Sequence, residues 1–432
     1  MNWFTDLFTQ PSVANSVLIL SLVIAAGMAL QLIRFRGISL GVTWILFVGI
    51  LLGQLGIGID PHVSHFAKEF GLILFIYSIG LEVGPGFFHS LKSGGIRLNL
   101  LAVLAIVLGC LLTVLFIKVS GEPTEAMIGA LYGAVTNTPG LGAAQQTFSD
   151  IHEGVSNPMF AQGYAVAYPL GVLGIIMSIV VLRSIFLKQG KDEDALFQQN
   201  APFNGLMLIR KMAERLQTHD DKRAAKDQAK IEAKRSRASR IAAQNRLNER
   251  DNKPHLFYIF IGIALGVILG MVPIYFPGIP VAVRLGLAGG PLIVSIIISY
   301  IGPDLRFPTH TTKSANLMLR ETGISLFMAS VGLGAGDGFI QTIAGGGYMW
   351  VIYGFLITII PCFIVGLIGR YCFNLSIYSV AGLIAGSHTD PPALAFSNTL
   401  CPNNESSVAY TTVYPLTMFL RILAAQVLVI LL

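Results

Sequence analysis

Gly129-Ala-Leu-Tyr-Gly-Ala-Val-Thr-Asn-Thr-Pro-Gly-Leu-Gly-Ala-Ala144 has a partner later in the chain, Ala381-Gly-Leu-Ile-Ala-Gly-Ser-His-Thr-Asp-Pro-Pro-Ala-Leu-Ala-Phe396. At a separation of 252 residues the two align without a gap, and Thr138-Pro139 falls on Asp390-Pro391. Each begins as an apolar helix, meets a cluster of hydroxyl, amide, imidazole or carboxylate groups, reaches a proline and turns apolar again. Proline removes a backbone donor and clashes with the preceding turn, so neither helix continues straight through. In a bilayer, backbone freed in this way must be buried in protein or line a wet cavity. Paired breaks in the two halves of a chain point to a transporter's binding site.

Composition places these breaks in a membrane. Of the 432 residues, 53% are hydrophobic and only 12% charged, against roughly 25% charged in soluble domains. Mean hydropathy is +0.68. The net charge of +6 is local: residues 188–253 hold 16 Lys/Arg and 10 Asp/Glu, and the remainder is neutral. The basic pI therefore describes one loop and is no argument for nucleic acid. Cys110, Cys362, Cys372 and Cys401 have no metal or redox spacing, and three of them, in or at the edges of apolar runs, read as packing residues. The first apolar run is long and is followed by Arg34 and Arg36, so a retained helix is expected rather than a cleaved signal. Residues 1–12 read as an amphipathic surface segment.

A span needs about 20 apolar residues. Candidates are 14–33, 40–57, 67–86, 98–118 and 160–186 with the broken segment 126–147, then 256–275, 285–301, 317–336, 347–369 and 407–432 with the broken segment 377–397. Duplication extends beyond the breaks. Phe75–Phe87 matches Phe327–Phe339 at 252, Tyr164-Ala-Val-Ala-Tyr-Pro-Leu170 matches Tyr410-Thr-Thr-Val-Tyr-Pro-Leu416 at 246, and Leu40-Gly41 matches Leu285-Gly286 at 245. Positive charge marks cytoplasmic loops. Arg34/Arg36, Lys92/Arg97 and Arg183/Lys188 fall inside and Asp60/Glu69, Glu122/Glu125 and Asp150/Glu153 outside, provided 126–147 is re-entrant. Arg306/Lys313/Arg320 and Arg370 then fall inside and Asp337 outside, with Arg284 the exception.

The expected architecture is an all-α polytopic membrane protein with two inverted repeats. Each has five transmembrane helices plus one re-entrant hairpin, with elevator-like scaffold and transport domains. Residues 1–187 form the first repeat, 188–253 a charged cytoplasmic linker and 254–432 the second repeat; both termini are expected in the periplasm. The linker lacks Pro and Gly between Gly205 and Pro254. It reads as a solvated helix, either a spacer or a surface for anionic lipid.

Four motifs carry a resemblance: Phe35-Arg-Gly-Ile-Ser-Leu-Gly41, Ile79-Gly-Leu-Glu-Val-Gly-Pro-Gly-Phe87, Thr136-Asn-Thr-Pro-Gly-Leu141 and Gly386-Ser-His-Thr-Asp-Pro-Pro-Ala393. Together they resemble the aspartate:alanine exchanger family of bacterial secondary transporters, over nearly all of 13–187 and 254–432. The resemblance implies exchange of small amino acids or dicarboxylates, such as aspartate, alanine or succinate, across the bacterial inner membrane. Family members typically carry two regulatory domains in the central loop; a charged stretch stands there in this chain.

A small anionic or zwitterionic substrate needs donors at membrane depth, and helix N-termini supply them. The segments following Pro139-Gly140 and Pro391 provide such ends; Thr136, Asn137 and Thr138 add side-chain donors on one break and Ser387, His388 and Thr389 on the other. The same groups are also common helix caps. Asp390 is the sharpest candidate, because a carboxylate at membrane depth costs about 2.5–3.5 kcal/mol. It takes a substrate ammonium, a cation or a proton, or else caps the following helix. Glu82 and Arg421 are the other charges within spans; they pair with one another, or Arg421 clamps a substrate carboxylate. Pro169 and Pro415 are paired mid-helix prolines, either moving hinges or static kinks. No nucleophile–base constellation, metal motif or phosphate loop is present. A homodimeric carrier in the lipid bilayer, taking a small anionic or zwitterionic substrate and needing neither cofactor nor nucleic acid, is expected rather than an enzyme; an organic-acid channel and a cation-coupled symporter are the alternatives.

Overall fold

The computed structural model describes residues 12–33, 41–92, 95–187, 256–273, 284–302, 312–401 and 405–432. The surface segment 1–11, Arg34, Arg36, Arg306 and the linker 188–253 lie outside the described residues.

The described residues are helical, as the hydropathy requires. In the first half the helices are α1 (Val13–Leu30), α2 (Thr43–Gln54), α3 (Pro61–Lys92), α4 (Ile96–Ser120), α5 (Thr124–Ala134), α6 (Thr138–Ile151) and α7 (Met159–Leu187). In the second half they are α8 (Leu256–Met271), α9 (Gly286–Ile301), α10 (Lys313–Gly336), α11 (Met349–Tyr371), α12 (Ile377–Ser387), α13 (Pro391–Leu400) and α14 (Glu405–Leu431), with a short bent turn at Phe339–Gly347 before α11. Five of them, α1, α4, α7, α11 and α14, are long and apolar enough to cross a membrane. A sixth candidate joins α10 to the bent turn at 68°. α2, α8 and α9, with 12, 16 and 16 residues, are shorter than the spans expected there. Pro169 and Pro415 sit inside α7 and α14, each of which continues on both sides of its proline.

Packing is reciprocal between the halves. α2 packs on α10 as α9 packs on α3, α5 on α7 as α12 on α14, and α1 on α2 as α8 on α9. α3 and α10 are each other's counterparts and cross at Gly71 and Gly323, where a Cβ on either glycine would press on the other's carbonyl oxygen. Gly71 also meets the Phe327 nitrogen, Gly323 the Phe75 nitrogen, and the Asn316 amide donates to the Ser78 carbonyl. Contacts that climb one helix while descending the other make this pair antiparallel. Two bundles result, each built from both halves. α1, α2, α3, α8, α9 and α10 form one, and α4–α7 with α11–α14 form the other; contact between them is sparser and runs mainly through α6, α9, α3 and α14.

Candidate functional site

Both breaks lie in the second bundle, and they face each other. α5 stops at Ala134 and α12 at Ser387; after three linking residues α6 and α13 begin, with proline in the first turn of each. Thr136 and Thr389 turn the chain, with φ of 52° and 54°. That left-handed conformation is costly for a β-branched residue and persists only where the surroundings hold it. Here the surroundings are the opposite break. The Thr136 hydroxyl donates to the His388 carbonyl at 2.9 Å, and the Thr389 hydroxyl donates to the Val135 carbonyl at 3.4 Å. These are mirror contacts in an approximate two-fold arrangement.

The matching positions differ from those expected. Asn137 and Asp390 hold the same helix-capping position. Val135 and His388 both follow the last helical residue, and the Leu141-to-Asn137 backbone bond repeats as Leu394-to-Asp390. The structural separation at the breaks is therefore 253 residues, one more than the gap-free alignment at 252. The matched glycines Gly129/Gly382 and Gly133/Gly386, with Thr136/Thr389 and Pro139/Pro392, carried that signal in the sequence. A Cβ on Gly129 would overlap the Phe160 carbonyl, and one on Gly382 the Ser406 carbonyl, so these glycines set the close approach of each broken helix to its neighbour.

At equivalent positions Asn137 and Asp390 behave differently. The Asn137 side-chain oxygen accepts from the Gly140 nitrogen at 2.7 Å, and its amide donates to the Thr389 hydroxyl at 3.1 Å and the Met418 sulfur at 3.3 Å. Every polar atom of that side chain is used. Asp390 is 0% exposed, yet neither carboxylate oxygen has a hydrogen-bond partner. The Ala393 nitrogen, the counterpart of Gly140, acts on the carboxylate without making a cap bond. Tyr168 of α7 and Tyr410 of α14 stand within electrostatic reach on either side. A buried acceptor without a donor costs more than a made bond returns, so this carboxylate is the unsatisfied group of the site.

Its neighbours are satisfied by the protein. His388 Nδ1 lies 3.0 Å from the Ile384 carbonyl, which assigns the proton to Nδ1 and turns Nε2 toward the Cys362 thiol at 3.5 Å. The Ser387 hydroxyl donates to the Ile384 carbonyl at 3.1 Å. Thr138 shares a 2.9 Å hydrogen bond with the Tyr164 hydroxyl. Arg421 is buried on α14, where Nε and Nη2 donate to the Ser387 carbonyl at 3.0 and 2.5 Å. A cation on the last carbonyl of α12 complements the helix dipole. In the other break the corresponding carbonyl, of Ala134, accepts from the Thr358 hydroxyl at 2.8 Å. Glu82 does not pair with Arg421: it lies 2.8 Å from Arg320 on α10. Span position alone could not choose between two arginines on different helices.

Other members of this neighbourhood are Tyr132, whose hydroxyl donates to the Arg421 carbonyl at 2.9 Å, and Thr358, Cys362, Met418 and the pairs Tyr164–Tyr168 and Tyr410–Tyr414. The repeated Tyr-x-x-x-Tyr-Pro is legible in the sequence. Among the described residues no group of three His, Cys, Asp or Glu side chains is arranged to hold a metal ion.

An unsatisfied carboxylate and a buried arginine at facing helix breaks, inside an apolar helical protein, define a membrane transport protein. A family model described as a predicted permease membrane region, that of the aspartate–alanine exchangers, matches residues 19–184 and 258–430. The chain belongs to that family. It is 42% identical over 542 residues to an uncharacterized transporter of Bacteroides fragilis, covering 97% of this chain and 96% of the relative. It is 37% identical over 554 residues to an uncharacterized transporter of Bacteroides thetaiotaomicron, covering 100% of each. Both alignments exceed the 432 residues of this chain, so each relative carries a stretch without a counterpart here. No solved structure matches.

Proposed function

We propose that this protein is a secondary active transporter that exchanges small amino acids or dicarboxylates, of the aspartate, alanine and succinate class, across the bacterial inner membrane by alternating access. The observation that carries the reading is Asp390: a wholly buried carboxylate with no donor, on a helix N-terminus whose counterpart carries a fully satisfied Asn137. A group left unsatisfied at membrane depth is costly unless a ligand completes it. Asp390 receives the substrate ammonium, and Thr136, Asn137, Thr138, Ser387, His388 and Thr389 with the helix ends at Pro139-Gly140 and Pro391 shape the site. Arg421 supplies positive charge at the Ser387 end of the same break, through the N–H donors not committed to that carbonyl.

The antiparallel pairing of α3 and α10 supports two inverted repeats, 1–187 and 254–432, joined by a cytoplasmic linker at 188–253. The sparse contact between the bundles supports an elevator: the bundle bearing both breaks moves against the other, which forms the homodimer interface. Pro169 and Pro415 are its bending points. The family's regulatory domains are the stretch missing from this chain. The test is counterflow in liposomes. Vesicles loaded with unlabelled aspartate, alanine or succinate should concentrate the labelled compound transiently. Uptake indifferent to the internal solute would indicate a channel and refute the carrier.

A further inference from the structure

Glu82 and Arg320 lie 2.8 Å apart between α3 and α10, with side chains 51% and 27% exposed. Both lie near the same end of the antiparallel pair, Glu82 toward the end of the expected span 67–86 and Arg320 toward the start of 317–336, the end that positive charge assigns to the cytoplasm. Charges inside a membrane helix are costly against acyl chains and face a bundle interior or water. A half-exposed ion pair here therefore marks a mouth that meets water at that end of the pair. Inward from it lies α14, packed on α3. Tyr414 is within electrostatic reach of both charges, and Tyr410 stacks on Tyr414 at 5.1 Å between ring centres. Tyr410 in turn is within reach of Glu82, Arg320 and Asp390 alike. A half-exposed ion pair, the partly buried Tyr414, the buried Tyr410 and the unsatisfied carboxylate thus form one line from water to the breaks.

Among the described residues the other half has no such line. At 252 residues' separation Lys68 stands for Arg320, but Gly334 stands for Glu82. Tyr164 and Tyr168 take the tyrosine positions and face the Thr43 hydroxyl instead of an ion pair. Arg320 gives one nitrogen to Glu82 at 2.8 Å and another to Glu321 at 3.4 Å. A guanidinium has five N–H donors in a fork suited to a carboxylate, so Arg320 can engage an incoming acid while Glu82 orients it.

We propose that Arg320, oriented by Glu82 at the mouth of the Tyr414–Tyr410 line, captures the carboxylate of the substrate and gives one side of the carrier its preference for acids. This rests on the transport reading above. The experiment is exchange of radiolabelled L-aspartate by the purified full chain in liposomes, with KM and Vmax measured separately. Arg320→Gln should raise KM about fivefold and hold Vmax within about twofold, the pattern of lost binding rather than lost turnover. Arg320→Lys should recover most of the loss, and Glu82→Gln should lower KM by freeing the guanidinium. An exchanging Arg320→Gln with unchanged KM overturns the proposal.

Should Arg320→Gln fail to fold, a second measurement decides. In a chain carrying Cys372→Ser and Cys401→Ser, Glu82→Cys should react with a membrane-impermeant cationic methanethiosulfonate, and aspartate should slow the reaction. No reaction at Glu82→Cys, with Cys372 of the unaltered chain labelled as a control, refutes the wet mouth. A wild type that exchanges nothing sinks the transport reading; an exchanging wild type beside an indifferent Arg320→Gln sinks only this one.

Discussion

Asp390→Asn separates the fold of the break from its chemistry, because the protein already contains that substitution in its other half. Asn137 occupies the equivalent capping position and accepts from the Gly140 nitrogen at 2.7 Å. An asparagine at 390 can make the same bond to the Ala393 nitrogen, where Asp390 makes no cap bond. A made N-cap is worth about 0.5–2 kcal/mol, and the substitution replaces one of the two buried oxygens that have no donor with an amide nitrogen and leaves the other to accept the cap bond. The thermal midpoint of the purified protein should therefore hold or rise. Binding should move the other way. Losing a charge-assisted hydrogen bond costs about 1.5–3 kcal/mol, which at about 1.4 kcal/mol per tenfold is a loss of about 10- to 150-fold in affinity. The assay is calorimetric binding beside counterflow, with size-exclusion profile and melting curve on the same preparation. Wild-type affinity in the variant would refute Asp390 as a substrate contact. A fall in midpoint with a broadened elution profile would show instead that the carboxylate holds the break together.

Four further outcomes are expected. Arg421→Gln strips the Ser387 carbonyl of its guanidinium and should lower stability by about 1–3 kcal/mol, read as a lower midpoint, with exchange reduced in parallel. Thr136→Ala removes a 2.9 Å bond across the breaks and Thr389→Ala a 3.4 Å one, so the first should destabilise more, by about 1 kcal/mol. Thr136→Gly should cost less than Thr136→Ala, because glycine accepts the φ of 52° without strain; equal melting curves for the two would show that the turn is not strained. Replacing 205–250 with a flexible linker of matching reach should leave exchange rates within about twofold, since a coil of that length spans comparable distances; loss of exchange in folded protein would assign the segment a role in transport.

Much of this arrangement follows from the sequence alone. Apolar runs of span length interrupted by proline dictate helices that break, since within a single segment only a helix satisfies its own polar groups in lipid. The repeat at 252, 246 and 245 residues established that helices and breaks come in pairs, and the family motifs lie at those same places. Charge composition set apart 188–253 without any coordinates. Four conclusions needed the tertiary structure. The breaks meet in the register 253, because reciprocal hydroxyl-to-carbonyl bonds, and not an ungapped alignment, define equivalence. Glu82 chooses Arg320 over Arg421, because depth along a span carries no information about which helices touch. Arg421 spends two donors on a helix end, which no local pattern announces. Of two groups at one capping position, Asn137 is satisfied and Asp390 is not: the Asn137 oxygen takes a cap bond from Gly140 that Asp390 does not make with Ala393, and the Asn137 amide meets Thr389 and Met418, 252 and 281 residues away, so hydrogen bonding is decided by where donors and acceptors arrive in space.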